Sequence, residues 1–137
     1  MKTIFLVMTV LWLLEAGHGQ QTWDTYVTSL QMPCYPPLAR AARVQGTARI
    51  KLVMAGDGSV TSAEAVDGHA LLTKAAIDNV RTWKFSTADG QAPSEPSVVV
   101  FEYKLEDGSG WNRCATRVVF HSWSRVTVIS NFNPPLD

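Results

Sequence analysis

The sequence predicts an α+β fold in which an antiparallel sheet packs against two helices. Residues 47–54 alternate apolar and polar side chains, which is typical of a strand with one buried face. Leu72, Ala76, Val80 and Trp83 recur at helical spacing. Residues 97–105 are rich in β-branched and aromatic residues, as strands are. These three segments define the framework on which the rest of the chain is placed.

Composition indicates one globular domain with its own core. The chain has 137 residues, of which 46% are hydrophobic and 18% are charged, and this excludes a disordered or fibrous chain. Lys and Arg number 12, and Asp and Glu also number 12. Because these charges balance, the composition argues against nucleic acid as a partner.

The N-terminus has the layout of a secretory signal peptide. Lys2 precedes an apolar run over residues 4–14, and the small and polar residues 15–19 follow it. The run is shorter than the roughly 20 residues that a transmembrane helix needs. We therefore expect a signal peptide over residues 1–19, a mature start near Gln20, and a polar leader over residues 20–32. The alternative is an uncleaved anchor in the inner membrane.

A short helix is predicted after Pro36 and Pro37, because proline is tolerated in the first turn, where its missing N–H has no helical partner. Gly46 stands where the glycine that follows a helix belongs. The expected inward-facing stripe consists of Leu38, Ala41, Ala42 and Val44, with Arg40 and Arg43 facing solvent.

A hairpin and a longer helix follow. The glycines at 56 and 58 flank Asp57 and supply a turn between the strand at 47–54 and a return strand at 60–66. After a break at 67–68, the longer helix is expected to run for about four turns. Trp83 closes the apolar stripe of this helix, and we expect it to lie in the core beside Phe101.

The C-terminal part contributes one long strand and a hairpin. In the strand at 97–105, alternate residues face the core, namely Val99, Phe101, Tyr103 and Leu105. Two shorter strands, at 116–120 and 125–129, are expected to form a hairpin around residues 121–124. Residues 131–137 are expected to fray.

The sequence contains two cysteines, Cys34 and Cys114, and both follow the predicted signal peptide. In an oxidising compartment such a pair is typical of one disulfide bond. The alternatives are free buried thiols or a metal site shared with His69 and His121. The four residues lack the close spacing of zinc ligands, so no metal site and no cofactor is predicted.

A set of residues recurs in a fixed order along these segments, namely Tyr35, Pro36, Leu38, Ala39, Gly46, Gly58, Val60, Gly68, Leu72, Ala76, Trp83 and Phe85. In this order and spacing they resemble the TonB C-terminal domain family. The resemblance covers residues 33–105 as one domain, with residues 106–137 as an extension. It implies a three-stranded antiparallel sheet packed against two helices, to which the C-terminal hairpin would be added.

The resemblance also implies a function in the periplasm. Domains of this family pair a sheet edge with a segment of an outer-membrane TonB-dependent receptor and transmit force from an inner-membrane motor complex. Pairing of this kind is β-strand addition, in which main-chain hydrogen bonds supply affinity. The strand at 97–105 is the expected edge, and the expected partner-binding residues are Val98, Val99, Val100, Phe101, Glu102 and Tyr103.

The chain departs from a full-length transducer of this family in three respects. It has no long spacer rich in Pro, Lys and Glu. Its N-terminal apolar segment is short, contains no His and has the layout of a cleavable signal, and the chain carries the extension at 106–137. The alternative function is therefore a secreted binding or structural domain, with another periplasmic protein as partner and without force transduction. The extension would then be free to cover the edge that binds a receptor.

Catalytic motifs do not support an enzyme. The sequence has no Gly-x-Ser-x-Gly turn, no phosphate-binding glycine loop and no His-Glu-x-x-His helix. Asp67 and His69 precede a helix, where capping explains them, and Asp57 is a turn residue. A small secreted hydrolase, with an unpaired cysteine as nucleophile, is the distant alternative.

Overall fold

The computed structural model describes residues 25–86, 96–108, 114 and 117–132. The predicted signal peptide and residues 133–137 lie outside this range. Two helices and seven strands are present in the described part of the chain. In chain order they are β1 (Tyr26–Ser29), α1 (Pro37–Ala41), β2 (Gly46–Met54), β3 (Val60–Asp67), α2 (Ala70–Val80), β4 (Lys84–Ser86), β5 (Ser97–Glu106), β6 (Arg117–Ser122) and β7 (Arg125–Asn131).

The main sheet has five strands in the order β3-β2-β5-β7-β6. The predicted α+β class is confirmed, but the sheet is mixed, because β7 pairs with β5 in parallel while the other pairs are antiparallel. The cause is the direction of the predicted hairpin, which is confirmed as β6 and β7. Its second strand turns back between β6 and β5 and so runs in the same direction as β5.

A second, two-stranded sheet joins β1 to β4. The predicted leader is therefore partly structured, since Val27 pairs with Phe85 across this small sheet. Leader and core are also joined by the Asn79 side chain, which donates to the carbonyl of Gln31 over 2.9 Å. A four-residue strand has too short a pattern to predict a partner, and its pairing was not expected from the sequence.

The turn between β2 and β3 forms where the two glycines predict it. Gly58 has φ +87°, and a Cβ atom there would lie 1.8 Å from the carbonyl oxygen of Phe85. The two residues lie this close because the Phe85 N–H donates to the Gly58 carbonyl over 2.8 Å. Glycine is thus required both by the backbone conformation and by the close approach of β4.

The first helix is five residues long and presents a different face from the predicted one. Ala39 and Arg40 are buried, whereas Leu38 is 70% exposed and Ala41 and Ala42 are also exposed. Arg40 was expected to face solvent, and that prediction is wrong. A helix of little more than one turn is too short for spacing to define a stripe, so its packing partners decide which residues are buried.

The position that follows α1 is also not the predicted one. The left-handed residue is Arg43, with φ 56°, three residues before Gly46. Gly46 instead begins β2, where it lies opposite Tyr103. A non-glycine residue in this conformation is uncommon. Here the backbone turn is supported by the Val44 N–H, which donates to the Ala39 carbonyl over 2.7 Å.

The second helix begins at a cap formed by His69, whose Nδ1 accepts the N–H of Leu71 over 3.2 Å. It ends at Val80, one turn earlier than the spacing predicts. Trp83 then follows in a turn closed by its N–H to the Val80 carbonyl at 3.0 Å. Its side chain is 1% exposed and lies 5.8 Å from the ring of Phe101, which confirms the predicted core contact.

The core lies between the two helices and one face of the sheet. The predicted inward faces of β2 and β5 are confirmed, since their alternate residues are buried. Aromatic rings from three strands and three connecting segments meet along this face, with centroids 5.4–6.1 Å apart. They belong to Tyr35, Trp83, Phe85, Phe101, Tyr103, Phe120 and Trp123.

Candidate site for strand pairing

The strand expected to bind a partner is an inner strand of the sheet. β5 pairs with β2 on one side and with β7 on the other, so the prediction of a free edge over Val98–Tyr103 is wrong. The alternation of β5 correctly predicted which residues face the core. It carries no information on how many neighbours a strand has, and the strand that fills the second side comes from the C-terminal extension.

One hydrogen bond defines the two sides of β5. Val100 donates its N–H to the carbonyl of Ser124 over 2.8 Å, immediately before β7. Successive N–H groups of a strand point to opposite sides, so those of Glu102 and Lys104 also point toward β7. Leu105 has the other parity, and its N–H accordingly meets Gln45 Oε1 on the β2 side at 2.7 Å. We call the side toward which Val100, Glu102 and Lys104 point their N–H groups the β7 side of β5.

The β7 strand covers this side in continuous register. Its pairing begins with Val100 opposite Arg125 and ends with Glu106 opposite Asn131, without a bulge. Val126 lies opposite Phe101 and Val128 opposite Tyr103, on the core face of the sheet. The chain thus supplies from its own extension the kind of contact that a partner strand would make.

Burial shows how firmly β7 is held. Val126 and Val128 are 0% exposed and Ile129 is 5% exposed. At about 1.5–3 kcal/mol for each buried aliphatic side chain, these three contribute roughly 4–9 kcal/mol. A whole domain is typically stable by about 5–15 kcal/mol. Another strand can therefore replace β7 only if it fills the same apolar positions.

The predicted disulfide is present and joins the start of α1 to the hairpin. Cys34 and Cys114 are bonded at 1.99 Å, and the described residues contain no free cysteine. The alternatives of free thiols and of a shared metal site are thereby excluded for this pair. The Tyr35 N–H donates to the Cys114 carbonyl over 2.7 Å beside the bond.

Two arginines join the same segment to β7 and the residue after it. Arg40 Nη1 donates to Ser130 Oγ over 3.1 Å in the core. The guanidinium of Arg43 lies 5.1 Å from the ring centroid of Phe132, at cation–π distance. We call residues 34–43 the α1 segment. It contacts the C-terminal extension on both sides of the β6–β7 hairpin, and no sequence pattern predicts these pairs.

A pair of buried tyrosines, one from each element, joins the α1 segment to β5. Tyr35 and Tyr103 meet edge to face, with centroids 5.4 Å apart. The Tyr35 hydroxyl donates to the Val44 carbonyl over 2.5 Å, and burial raises the pKa of Tyr35 to about 12. The Tyr103 hydroxyl has no hydrogen-bond partner among the described residues. The pKa of Tyr103 is also raised, chiefly by burial and to a lesser extent by the nearby Tyr35 phenol.

The sheet ends at β3 and β6, and both strands are largely exposed. In the described part of the chain, each of these strands pairs on one side. Large apolar side chains are exposed on them, with Val66 at 59% and Phe120 at 38%. Neither strand was considered as a binding edge from the sequence.

The polar residues weighed as catalytic groups have structural contacts. His69 caps α2, and His121 Nε2 lies 2.8 Å from Thr127 Oγ1. Asp57 accepts hydrogen bonds from the hydroxyl of Ser59 at 2.6 Å and from its N–H at 2.9 Å, and these bonds lower the pKa of the carboxyl. Within residues 25–86, 96–108, 114 and 117–132, no three His, Cys, Asp or Glu side chains converge as metal ligands.

The positions that carry the family resemblance are mostly core or turn residues of these elements. Leu38 is a large apolar residue among them that lies on the surface. A search of the same described ranges finds no helix long and apolar enough to cross a membrane.

The chain belongs to the TonB C-terminal domain family. The model of that family, described as Gram-negative bacterial TonB protein C-terminal, matches residues 31–105. This is a transport-associated and non-enzymatic domain family of the bacterial envelope. The disulfide agrees with such a location, because disulfides persist in oxidising compartments.

Among solved structures, the chain is similar to the solution NMR structure of the Pseudomonas aeruginosa TonB CTD. The two share 17% sequence identity, with a TM-score of 0.53 over 63% of this chain and 91% of that one. At this identity the similarity shows the fold. No curated protein sequence matches the chain. The family match ends at residue 105, so β6 and β7 lie beyond it.

Proposed function

We propose that this protein is a periplasmic binding domain that pairs the β7 side of β5 with an extended segment of an outer-membrane TonB-dependent receptor. Binding of this kind is β-strand addition and is linked to energy-dependent transport. Membership of the TonB C-terminal domain family supports the class of function. The residues proposed to carry the contact are Val98, Val99, Val100, Phe101, Glu102 and Tyr103, as the sequence suggests.

The observation that carries this proposal is the geometry of β7 itself. The β7 side of β5 accepts a parallel strand in register from Val100 to Glu106. Main-chain groups provide the ladder, and Phe101 and Tyr103 are the buried residues of β5 that lie opposite Val126 and Val128 in the register. A receptor segment that binds here takes the place of β7.

The contacts of β7 define what such a segment looks like. It runs parallel to β5 and carries aliphatic, β-branched residues at two alternate positions, where Val126 and Val128 now lie. Its intervening residues are polar or mixed, like Thr127. A segment without this pattern leaves the core open and cannot compete with the chain's own strand.

A second candidate function is a secreted binding or structural domain without force transduction. The specific observation that favours it is that the β7 side of β5 is filled from within the chain. In that case partners bind elsewhere, and β6, the outer strand of the hairpin at the end of the sheet, is an available edge.

Titration separates the two candidates. Peptides from the periplasm-facing segments of outer-membrane receptors encoded in the same genome are titrated into the parent chain and a Val126→Ala/Val128→Ala variant. The variant weakens β7 and leaves β5 intact, so we expect tighter binding than to the parent. Val66→Ala, on exposed β3, is the matched control and should bind like the parent. If the folded double variant binds no receptor segment, the second candidate stands.

A further inference from the structure

The disulfide bond is placed where solvent and other proteins can reach it. Cys34 and Cys114 are both exposed residues. Cys34 lines an open groove with Met32 and Leu38, and these two apolar side chains are 60% and 70% exposed. A bond that served packing alone gains nothing from this exposure, whereas exposure is required for thiol–disulfide exchange.

The bond also controls the element that covers β5. Cys114 lies shortly before β6, and Cys34 begins the α1 segment. The same segment contacts the far end of the hairpin through Arg40 with Ser130 and Arg43 with Phe132. With the bond formed, the β6–β7 hairpin (residues 117–131) is therefore fastened to the body of the domain near both of its ends.

We propose that the Cys34–Cys114 bond is a thiol–disulfide exchange site, and that its reduction allows the β6–β7 hairpin to leave the β7 side of β5. The co-reactant is a reduced dithiol oxidoreductase of the envelope. This regulation rests on the function proposed above for that side of β5.

The exchange conserves atoms and electrons. A thiolate of the oxidoreductase attacks one sulfur of the Cys34–Cys114 bond, forms a mixed disulfide and releases the other sulfur as a thiolate. The second thiol of the oxidoreductase then attacks the mixed disulfide and leaves as part of its own disulfide. Two electrons and two protons pass to this protein, which ends with two thiols.

Reduction changes the competition between β7 and an incoming strand. Once the bond is broken, the hairpin is linked covalently to β5 through residues 107–116 alone. Its effective concentration at β5 falls, because one covalent connection restrains the hairpin where two did before. The noncovalent contacts remain, so the hairpin is exchangeable rather than lost.

Hydrogen exchange on the full chain tests the release of the hairpin. The oxidised parent, the reduced parent and Cys34→Ser/Cys114→Ser are compared. Amides on the β7 side, at Val100 and Glu102, should exchange at least tenfold faster in the reduced parent and in the double variant. Amides of the opposite parity, at Val99 and Phe101, are paired with β2 and serve as the internal control.

A labelled peptide with the sequence of β7, residues 125–131, then tests access. We expect at least tenfold tighter binding to the reduced parent and the double variant than to the oxidised parent. Val128→Pro in the peptide removes an N–H that faces β5 and should abolish binding. Thr127→Pro, one residue away, removes an N–H that faces β6 and is the matched control. Reductant should have no effect on the double variant.

Four results are decisive. Equal exchange at Val100 in all three proteins overturns the inference, and so does loss of the β2-facing protection on reduction, because a switch must leave the body folded. If the reduced chain binds the β7 peptide but no receptor segment, the hairpin is a redox-controlled cover and the proposed receptor binding fails. If receptor segments bind equally to the oxidised and reduced chains, the receptor function stands and the redox control fails.

Discussion

Val100 donates its N–H to the carbonyl of Ser124 over 2.8 Å, and this bond lies at the point where β7 first meets β5. It determines which amides of β5 point toward the hairpin and which toward β2. The sequence leaves this parity open, because alternation describes where side chains point and not where N–H groups point. The structure therefore allows the two ladders of β5 to be tested one at a time.

We expect Val100→Pro to fold and Val99→Pro to fail. Proline at 100 removes a donor that faces the half-buried Ser124, and we expect a loss of about 1–3 kcal/mol for the carbonyl left without its donor. Proline at 99 removes a donor that faces β2 and disturbs a residue that is 0% exposed. Circular dichroism and urea denaturation distinguish the two. If both variants unfold, or both lose equal stability, the assigned parity is wrong.

The sequence predicts which face of each strand is buried better than it predicts which strands are neighbours in the sheet. The faces of β2 and β5 follow from alternation, because burial on one side is recorded in every second residue. The position of β7 beside β5 is not recorded in this way. The run Val126–Ile129 carries a partial signal, since consecutive β-branched residues are typical of a strand buried on both faces, and all four are buried here. That signal indicates an inner strand, but not which strand lies next to it.

The α1 segment illustrates why the candidate site was predicted incompletely. A five-residue helix has no reliable periodicity, so sequence spacing placed Arg40 on the surface and Leu38 in the core. The reverse holds because Ser130 receives the guanidinium of Arg40 from a strand 90 residues further along the chain. Contacts across such separations follow from topology, and topology was the part of the fold that local patterns did not determine.

Position 58 should not tolerate a side chain, whereas position 56 should. Gly58→Ala adds a Cβ at φ +87° and within 1.8 Å of the Phe85 carbonyl oxygen. The left-handed backbone alone costs about 1–2 kcal/mol, so we expect a total loss of at least about 2 kcal/mol. Gly56→Ala meets no atom within 4 Å and should be nearly neutral. Equal urea midpoints for the two variants would contradict the assigned turn geometry.

Trp83 is expected to be among the most sensitive core positions. Its ring contacts Phe101 and Phe85 at 5.8 Å, and its Nε1 donates to Asn79 Oδ1 over 2.8 Å. Trp83→Ala should lower the free energy of unfolding by about 3–5 kcal/mol, as for other buried aromatic residues. Trp123→Ala is the control, because Trp123 is half-buried and should lose less. A urea titration in which both variants lose the same free energy would place Trp83 outside the core.

Removing the hydroxyl of Tyr35 should destabilise the fold, whereas removing that of Tyr103 should not, although the two rings are in contact. Tyr35→Phe leaves the Val44 carbonyl without its donor and should cost about 1 kcal/mol. Tyr103→Phe removes a buried hydroxyl that has no partner among the described residues, and it should be neutral or stabilising by up to about 1–2 kcal/mol. Urea denaturation at pH 7 measures both changes, and a destabilised Tyr103→Phe would reveal a bond that this hydroxyl makes.

The same tyrosines predict how stability changes with pH. Burial raises the pKa of Tyr35 from 10.0 to about 12, so the folded state favours the protonated phenol. Its contribution is fully present below pH 10, and it is lost as pH rises from 10 through about 12, because the unfolded chain releases the proton first. Tyr35→Phe should therefore flatten the decline of unfolding free energy across this interval. An alkaline decline of the same slope in the parent and in Tyr35→Phe would show that Tyr35 titrates normally and that its hydroxyl is not buried in the folded state.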